Sequence, residues 1–148
     1  MVWGCFSYNE VGKLAFIHGT FKSEQYVNIL NQNLDEAVRI LELLDDCIFQ
    51  QDNDPKHCSK KTKEFFKEKE IHVLPWPAQS PDLNPIEHLW DYLDRQISCF
   101  KRRSKQTFEN ALQEKFYSID ASFCKKLVDS MPNRLKGFIK ANGLKTSY

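Results

Sequence analysis

The chain has 148 residues, 41% hydrophobic and 28% charged, which suits one compact soluble domain over residues 1–148 rather than two domains or a disordered tail. Twenty-one basic residues against 20 acidic ones leave a formal charge of +1, so any affinity for a polyanion has to be local. No apolar run approaches the ~20 residues needed to span a bilayer, and the N-terminus lacks a charged-then-apolar signal, so neither a membrane location nor secretion is expected.

In chain order, MVWGCFSY (Met1–Tyr8) and KLAFIHG (Lys13–Gly19) flank the turn-prone residues Asn9–Gly12 and predict a hairpin. From Lys22 to Leu44, Tyr26, Ile29, Leu30, Leu34, Ala37, Val38, Leu41 and Leu44 recur at threes and fours. They predict one long or two abutting amphipathic helices, closed by Asp45 and Asp46. CIFQQ (Cys47–Gln51) predicts a short strand, Ser59 an N-cap for the helix KKTKEFFKEKE, and IHVL (Ile71–Leu74) a strand stopped by Pro75 and Pro77. Asn84 and Pro85 then start the best-marked helix, with Ile86, Leu89, Trp90, Leu93 and Ile97 as its stripe. Beyond the basic loop KRRSK (Lys101–Lys105), helices are expected around Phe108, Leu112 and Phe116, and around Phe123, Leu127, Leu135, Phe138 and Ile139, with Pro132 in a first turn. A hairpin followed by strand, helix, strand and helices predicts an α/β fold, a mixed sheet flanked by helices with a helical C-terminal part.

Cys5, Cys47, Cys58, Cys99 and Cys124 are odd in number, widely spaced and without a C-x-x-C pair, which points to reduced thiols inside a cell. Asp52 follows a predicted strand, where ligands gather in α/β sheets, and Pro55 holds the following loop extended, with His57 in reach. The alternative is that Asp52 and Asn53 only make a turn. Glu87 has a similar ambiguity. It stands in capping-box relation to Asn84, yet it lies beside the buried seam, with Asp91 and Asp94 as rival carboxylates along the same side. One carboxylate at a strand end and one at a helix start would suit magnesium, and two such ions about 4 Å apart serve phosphodiester cleavage.

QDNDPKH and VLPWPAQSPDLNPIEHLW, in order after MVWGCFSY and GKLAFIHGT, closely resemble the catalytic domain of Tc/mariner transposases, and 34 residues separate Asp52 from Glu87 as in the Glu-ending branch of that superfamily. The resemblance implies an RNase H-like fold, an Asp-Asp-Glu triad holding two Mg2+ ions (with Mn2+ as a substitute), and metal-dependent cleavage and strand transfer of transposon-end and target DNA. Asp52 matches the second Asp and Glu87 the Glu, as catalytic and metal-binding residues. Asn53, His57 and Asn84 match supporting positions, and Pro81, Asp82 and Pro85 complete the turn that presents the glutamate. The family's first strand, its first Asp and its N-terminal DNA-binding region have no counterpart in these residues, so the expectation is a partial catalytic domain that is inactive or feeble alone.

Two basic clusters are candidates for DNA phosphates, Lys56, Lys60 and Lys61 on the approach to one helix and Lys101, Arg102 and Arg103 near the end of the Glu87 helix. The alternative for each is a solvated helix face, offset in the first case by Glu64, Glu68 and Glu70. DNA is the expected partner, with homodimerisation a further expectation and no small-molecule substrate. KRRSK and a role on DNA make the nucleus the expected location. A non-catalytic DNA-binding or dimerising remnant of a transposable element is the competing reading.

Overall fold

A computed structural model describes residues 1–43, 47–77, 80 and 83–140. Leu44, Asp45, Asp46, Pro81 and Asp82, which figure in the expectations above, lie outside the described residues.

β1 (Val2–Phe6) and β2 (Val11–Phe16) form the expected antiparallel hairpin, with Val2 opposite Phe16 and Trp3 opposite Ala15. A register shift between Gly4 and Phe6 marks a bulge. Alternation sends Trp3 to one helical layer and Val2 and Phe6 to the other. Both faces are thus covered, which is why this strand reads as apolar throughout.

α1 (Ser23–Ile40) is one continuous helix, so the option of two abutting helices is excluded. The Lys22 N–H donates to Gln25 Oε1 at 3.0 Å at its start. Tyr26, Leu30, Leu34 and Ala37 form its buried face. β3 (Ile48–Phe49) pairs in parallel with β4 (His72–Val73), and α2 (Lys60–Glu68) makes the crossover. Ser59 caps α2 as expected, its Oγ accepting from the Thr62 N–H at 3.2 Å. Thr62 is fully buried and its hydroxyl donates to the Lys56 carbonyl at 2.8 Å, tying the helix start to the loop after Asp52.

Among the described residues the two strand pairs are not hydrogen-bonded to each other, so the mixed sheet is assembled from two separate ribbons. Helices hold them in common. On one side α1 and α2 pack through Tyr26, Leu30, Leu34, Phe65 and Phe66, with Trp3, Phe49 and Val73 against them. On the other, α3 (Pro85–Gln96), α4 (Lys105–Tyr117) and α5 (Ala121–Asp129) pack Leu89, Leu93, Ala111, Leu112, Phe116 and Leu127 against Val2, Phe6 and Leu14. A Cβ on Gly4 would come within 2.7 Å of Trp90 Cη2, so glycine is what lets the α3 indole lie against β1.

α6 (Met131–Lys140) departs from expectation: Leu135 and Ile139 are 46% and 71% exposed, while Arg134 is buried with its Nε donating to Ser130 Oγ at 2.7 Å. A long arginine can pack its aliphatic stem and still bond its head, so the polar residue faces α5 and the apolar pair faces outward. Leu89→Ala should therefore cost about 2–5 kcal/mol in urea unfolding, whereas Leu135→Ala should stay within about 0.5 kcal/mol; equal effects would contradict this placement of the core.

Candidate active site

Asp52 lies three residues past the end of β3, and a chain of contacts from the core sets its orientation. The Tyr26 hydroxyl donates to Gln51 Oε1 at 2.6 Å, and Gln51 Nε2 donates to the His57 carbonyl at 3.2 Å. Tyr26 is 1% exposed, and burial, with the charge of Asp52 behind it, raises its phenol above the ordinary value, keeping it an O–H donor. The His57 ring lies 4.2 Å from the Tyr26 ring, and its Nδ1 meets Asp52 Oδ1 at 2.5 Å. The Asp54 N–H donates to the same Oδ1 at 3.1 Å. Asp52 Oδ1 is thereby held twice, and Oδ2 has no hydrogen-bond partner among the described residues.

The turn reading of Asp52 and the site reading are therefore both present in the geometry. Asp54 makes the tighter local turn. Partial burial raises its pKa, but bonds from Lys56 Nζ at 2.7 Å and the Lys56 N–H at 2.9 Å outweigh this and hold the carboxyl below the usual range.

Glu87 stands on the first turn of α3 and lines the same cleft of about 450 Å³ as Asp52, Lys56, His57 and Asn84. The capping alternative is not realised: Asn84 is the N-cap residue, but its side chain makes no cap bond, and Pro85 needs none. Desolvation against the cleft wall raises the Glu87 carboxyl above the usual range, and the charges of Asp52 and then Asp91 push it further. The rivals are placed elsewhere. Asp94 accepts from Arg102 at 2.9 Å, and Asp91 pairs with Arg95 at 4.0 Å.

Asn53 does not join this group. Its Nδ2 donates to the Trp76 carbonyl at 2.6 Å, and it lines a second cleft beside His72 and Trp76. The basic candidates are dispersed as well. Lys60 faces Glu64 at 3.7 Å, Lys61 pairs with Glu24, Lys101 lies 3.5 Å from Glu114, and Arg103 stacks over Phe100 at 4.7 Å. Arg102 also bonds the Asp94 and Ile97 carbonyls, so it closes the end of α3. Sequence reasoning missed Tyr26 and Gln51. Nothing could have singled out Tyr26, which sits in the apolar stripe of α1 like any core residue.

Two hard oxygen donors on separate elements, one with an unengaged oxygen and the other destabilised as an anion, fit a divalent cation such as Mg2+. Among the described residues no three His, Cys, Asp or Glu side chains converge as metal ligands.

An α/β core with helices on both faces, Asp52 just past the end of β3 and Glu87 in the first turn of α3 defines an RNase H-like domain. It superposes on the catalytic domain of Mos1 mariner transposase with a TM-score of 0.83 at 20% identity, covering 99% of this chain and 75% of that one. For the Mos1 mariner paired-end complex with Mn the TM-score is 0.88 at 22% identity, covering 99% and 44%. The family model for the DDE superfamily endonuclease matches residues 1–110, and the chain belongs to that family. Over its whole length it is 40% identical to the Tc1 transposase of Caenorhabditis elegans and 39% identical to the Tcb1 transposase of Caenorhabditis briggsae. It spans about half of these curated relatives, 54% of each. The resemblance to Tc/mariner catalytic domains read from QDNDPKH and SPDLNPIEHLW is thus borne out.

A carboxyl whose folded pKa is raised costs stability when ionised, and the cost disappears as pH falls through that value. Glu87→Gln should therefore raise the melting temperature of the metal-free protein at pH 7, with the difference gone near pH ~4, the ordinary glutamate range. A lowered melting temperature at pH 7 would instead assign Glu87 a capping role.

Proposed function

We propose that residues 1–148 are part of the catalytic domain of a cut-and-paste DNA transposase, with Asp52 and Glu87 as two of its metal-binding carboxylates. The observation that carries this is the pairing of an oriented Asp52 with a raised-pKa Glu87 on one cleft. Relatives named as transposases support it, as do Mos1 structures described with Mg, with Mn and with transposon ends. Bound there, divalent ions would activate a water or hydroxyl and stabilise the leaving oxygen of a phosphodiester.

The residues themselves do the positioning. His57 and the Asp54 N–H fix one oxygen of Asp52 and leave the other for a cation. Glu87 comes to the cleft on a helix start, where a cation would relieve the repulsion between it and Asp52. Among the described residues only these two carboxylates are placed for this purpose, so residues 1–148 alone should bind metal weakly and cleave feebly. With Mg2+ or Mn2+, nicking of supercoiled plasmid should be near background, while Mn2+ binding followed by tryptophan fluorescence should weaken at least tenfold in Asp52→Asn and in Glu87→Gln. Robust nicking lost in Asp52→Ala would overturn the feebleness, and Mn2+ binding indifferent to both substitutions would overturn the site.

DNA is the partner proposed, met in the nucleus. Lys63 and Lys67, one turn apart on α2, have no ion-pair partner among the described residues and line the second cleft with Asn53 and Trp76. They are better placed for phosphates than Lys61 or Arg102, which carboxylates already hold. Replacing either Lys63 or Lys67 with Ala should weaken DNA binding about equally for all sequences and reduce the salt slope by about 1. An unchanged slope would remove that helix from the interface.

A further inference from the structure

The second cleft, of about 420 Å³, differs in charge from the main one. Asp52, Asp54 and Glu87 line the main cleft, whereas no carboxylate lines the second among the described residues. Its fixed charges are the ammonium groups of Lys63 and Lys67, exposed one turn apart on α2 and held by no ion pair among the described residues. His72 on β4 adds a third positive charge when protonated. A concave surface that carries one sign of charge over apolar walls concentrates the opposite sign, so an anion is the matching ligand.

The rest of the lining says which anion. Phe66, Val73, Pro75 and Trp76 form a wall that a bare phosphate would leave uncovered. The Trp76 Nε1–H is buried and has no hydrogen-bond partner among the described residues, so the indole brings both an apolar face and an unmet donor. Its main chain is already tied down: the Trp76 carbonyl accepts from Asn53 Nδ2 at 2.6 Å, and Asn53 Oδ1 accepts from the Cys58 thiol at 3.3 Å. A nucleobase carries ring acceptors beside a flat face that stacks on aromatic side chains, and its phosphate supplies the negative charge. The carboxylates of an acidic peptide would meet the lysines and leave the indole bare. We propose that the second cleft is a nucleotide site, in which Lys63 and Lys67 hold the phosphate and the base lies against Trp76, a small turn of the indole bringing its N–H to a base acceptor.

Gln51 and His57 line both clefts, so one layer of side chains separates this site from Asp52. A DNA strand engaged at the main cleft therefore offers it a neighbouring unpaired nucleotide, and a free nucleotide offers the same chemistry. A DNA strand as the source rests on the reading of the preceding subsection; the nucleotide site itself does not.

The test uses the whole chain in EDTA, so that no cation bridges a ligand to Asp52 and Glu87. Calorimetry follows deoxyadenosine monophosphate, deoxyadenosine, inorganic phosphate, a capped tetraglutamate peptide and a single-stranded deoxyadenylate octamer. The monophosphate should saturate one site and bind about tenfold or more tighter than either phosphate or the nucleoside alone. Lys67→Ala, at an exposed position, should weaken it about fivefold with the melting temperature unchanged. Trp76→Phe, which keeps an aromatic face and removes the donor, should weaken it by a similar factor, about fivefold. Phosphate or the peptide binding as tightly as the monophosphate, affinity indifferent to both substitutions, or no saturable binding of monophosphate or octamer would overturn the nucleotide site. Octamer binding weakened by Lys67→Ala but not by Trp76→Phe would overturn it too, and leave the phosphate contacts of α2 standing. An octamer that binds more tightly than the monophosphate and is weakened by both substitutions assigns the source to a DNA strand. One that fails to displace the monophosphate sustains the site with a free nucleotide as its ligand and overturns the DNA reading of α2.

Discussion

The acidic end of the cleft depends on one buried tyrosine. Tyr26 is anchored in the apolar face of α1, and its hydroxyl and ring together set Gln51, His57 and through them Asp52. A carboxylate on a loop would otherwise rotate freely, and an unfixed ligand loses affinity to the entropy of fixing it. Here the orienting contacts are made by a residue that packing already holds, so Asp52 is placed by the fold.

Glu87 is placed by different means. Leu89, Leu93 and Ile97 bury one side of α3 and its C-cap, Trp90 lies against the Gly4 backbone, and Arg102 closes the far end of the helix. These contacts set the height and rotation of the helix, so its first turn reaches the cleft although the Glu87 side chain has no hydrogen bond among the described residues. The raised pKa of Glu87 is the electrostatic cost of that position, tolerated because the surrounding core is well packed.

The same packing explains how two ribbons of so few residues persist. β3 and β4 are each two residues long, with the Leu74 N–H adding one bond to the Phe49 carbonyl before Pro75 ends the pairing. Such a ribbon would not be stable alone. Phe49 against Phe66, and Trp3 against the α1 face, give each ribbon its stability through helices rather than through its neighbour in the sheet. Each ribbon can therefore persist although, among the described residues, it is hydrogen-bonded to no further strand.

Much of this was legible in the residues. The hairpin, the Ser59 cap, the Pro85 start and the stripe of α3 follow from local rules of period, cap and turn, which act over a few neighbours and need no tertiary information. So does the order of the acidic motifs, since QDNDPKH and SPDLNPIEHLW are contiguous. What the chain could not decide alone were questions of distance. Whether Glu87 caps or faces a cleft, which of Asp91 and Asp94 is a rival, whether Leu135 is covered, and which lysines are already paired all turn on elements far apart in sequence. Tyr26 and Asp52 are 26 positions apart, and Gly4 and Trp90 86; only the packed helices bring them together, because burial is a property of the assembled layers and of no single segment.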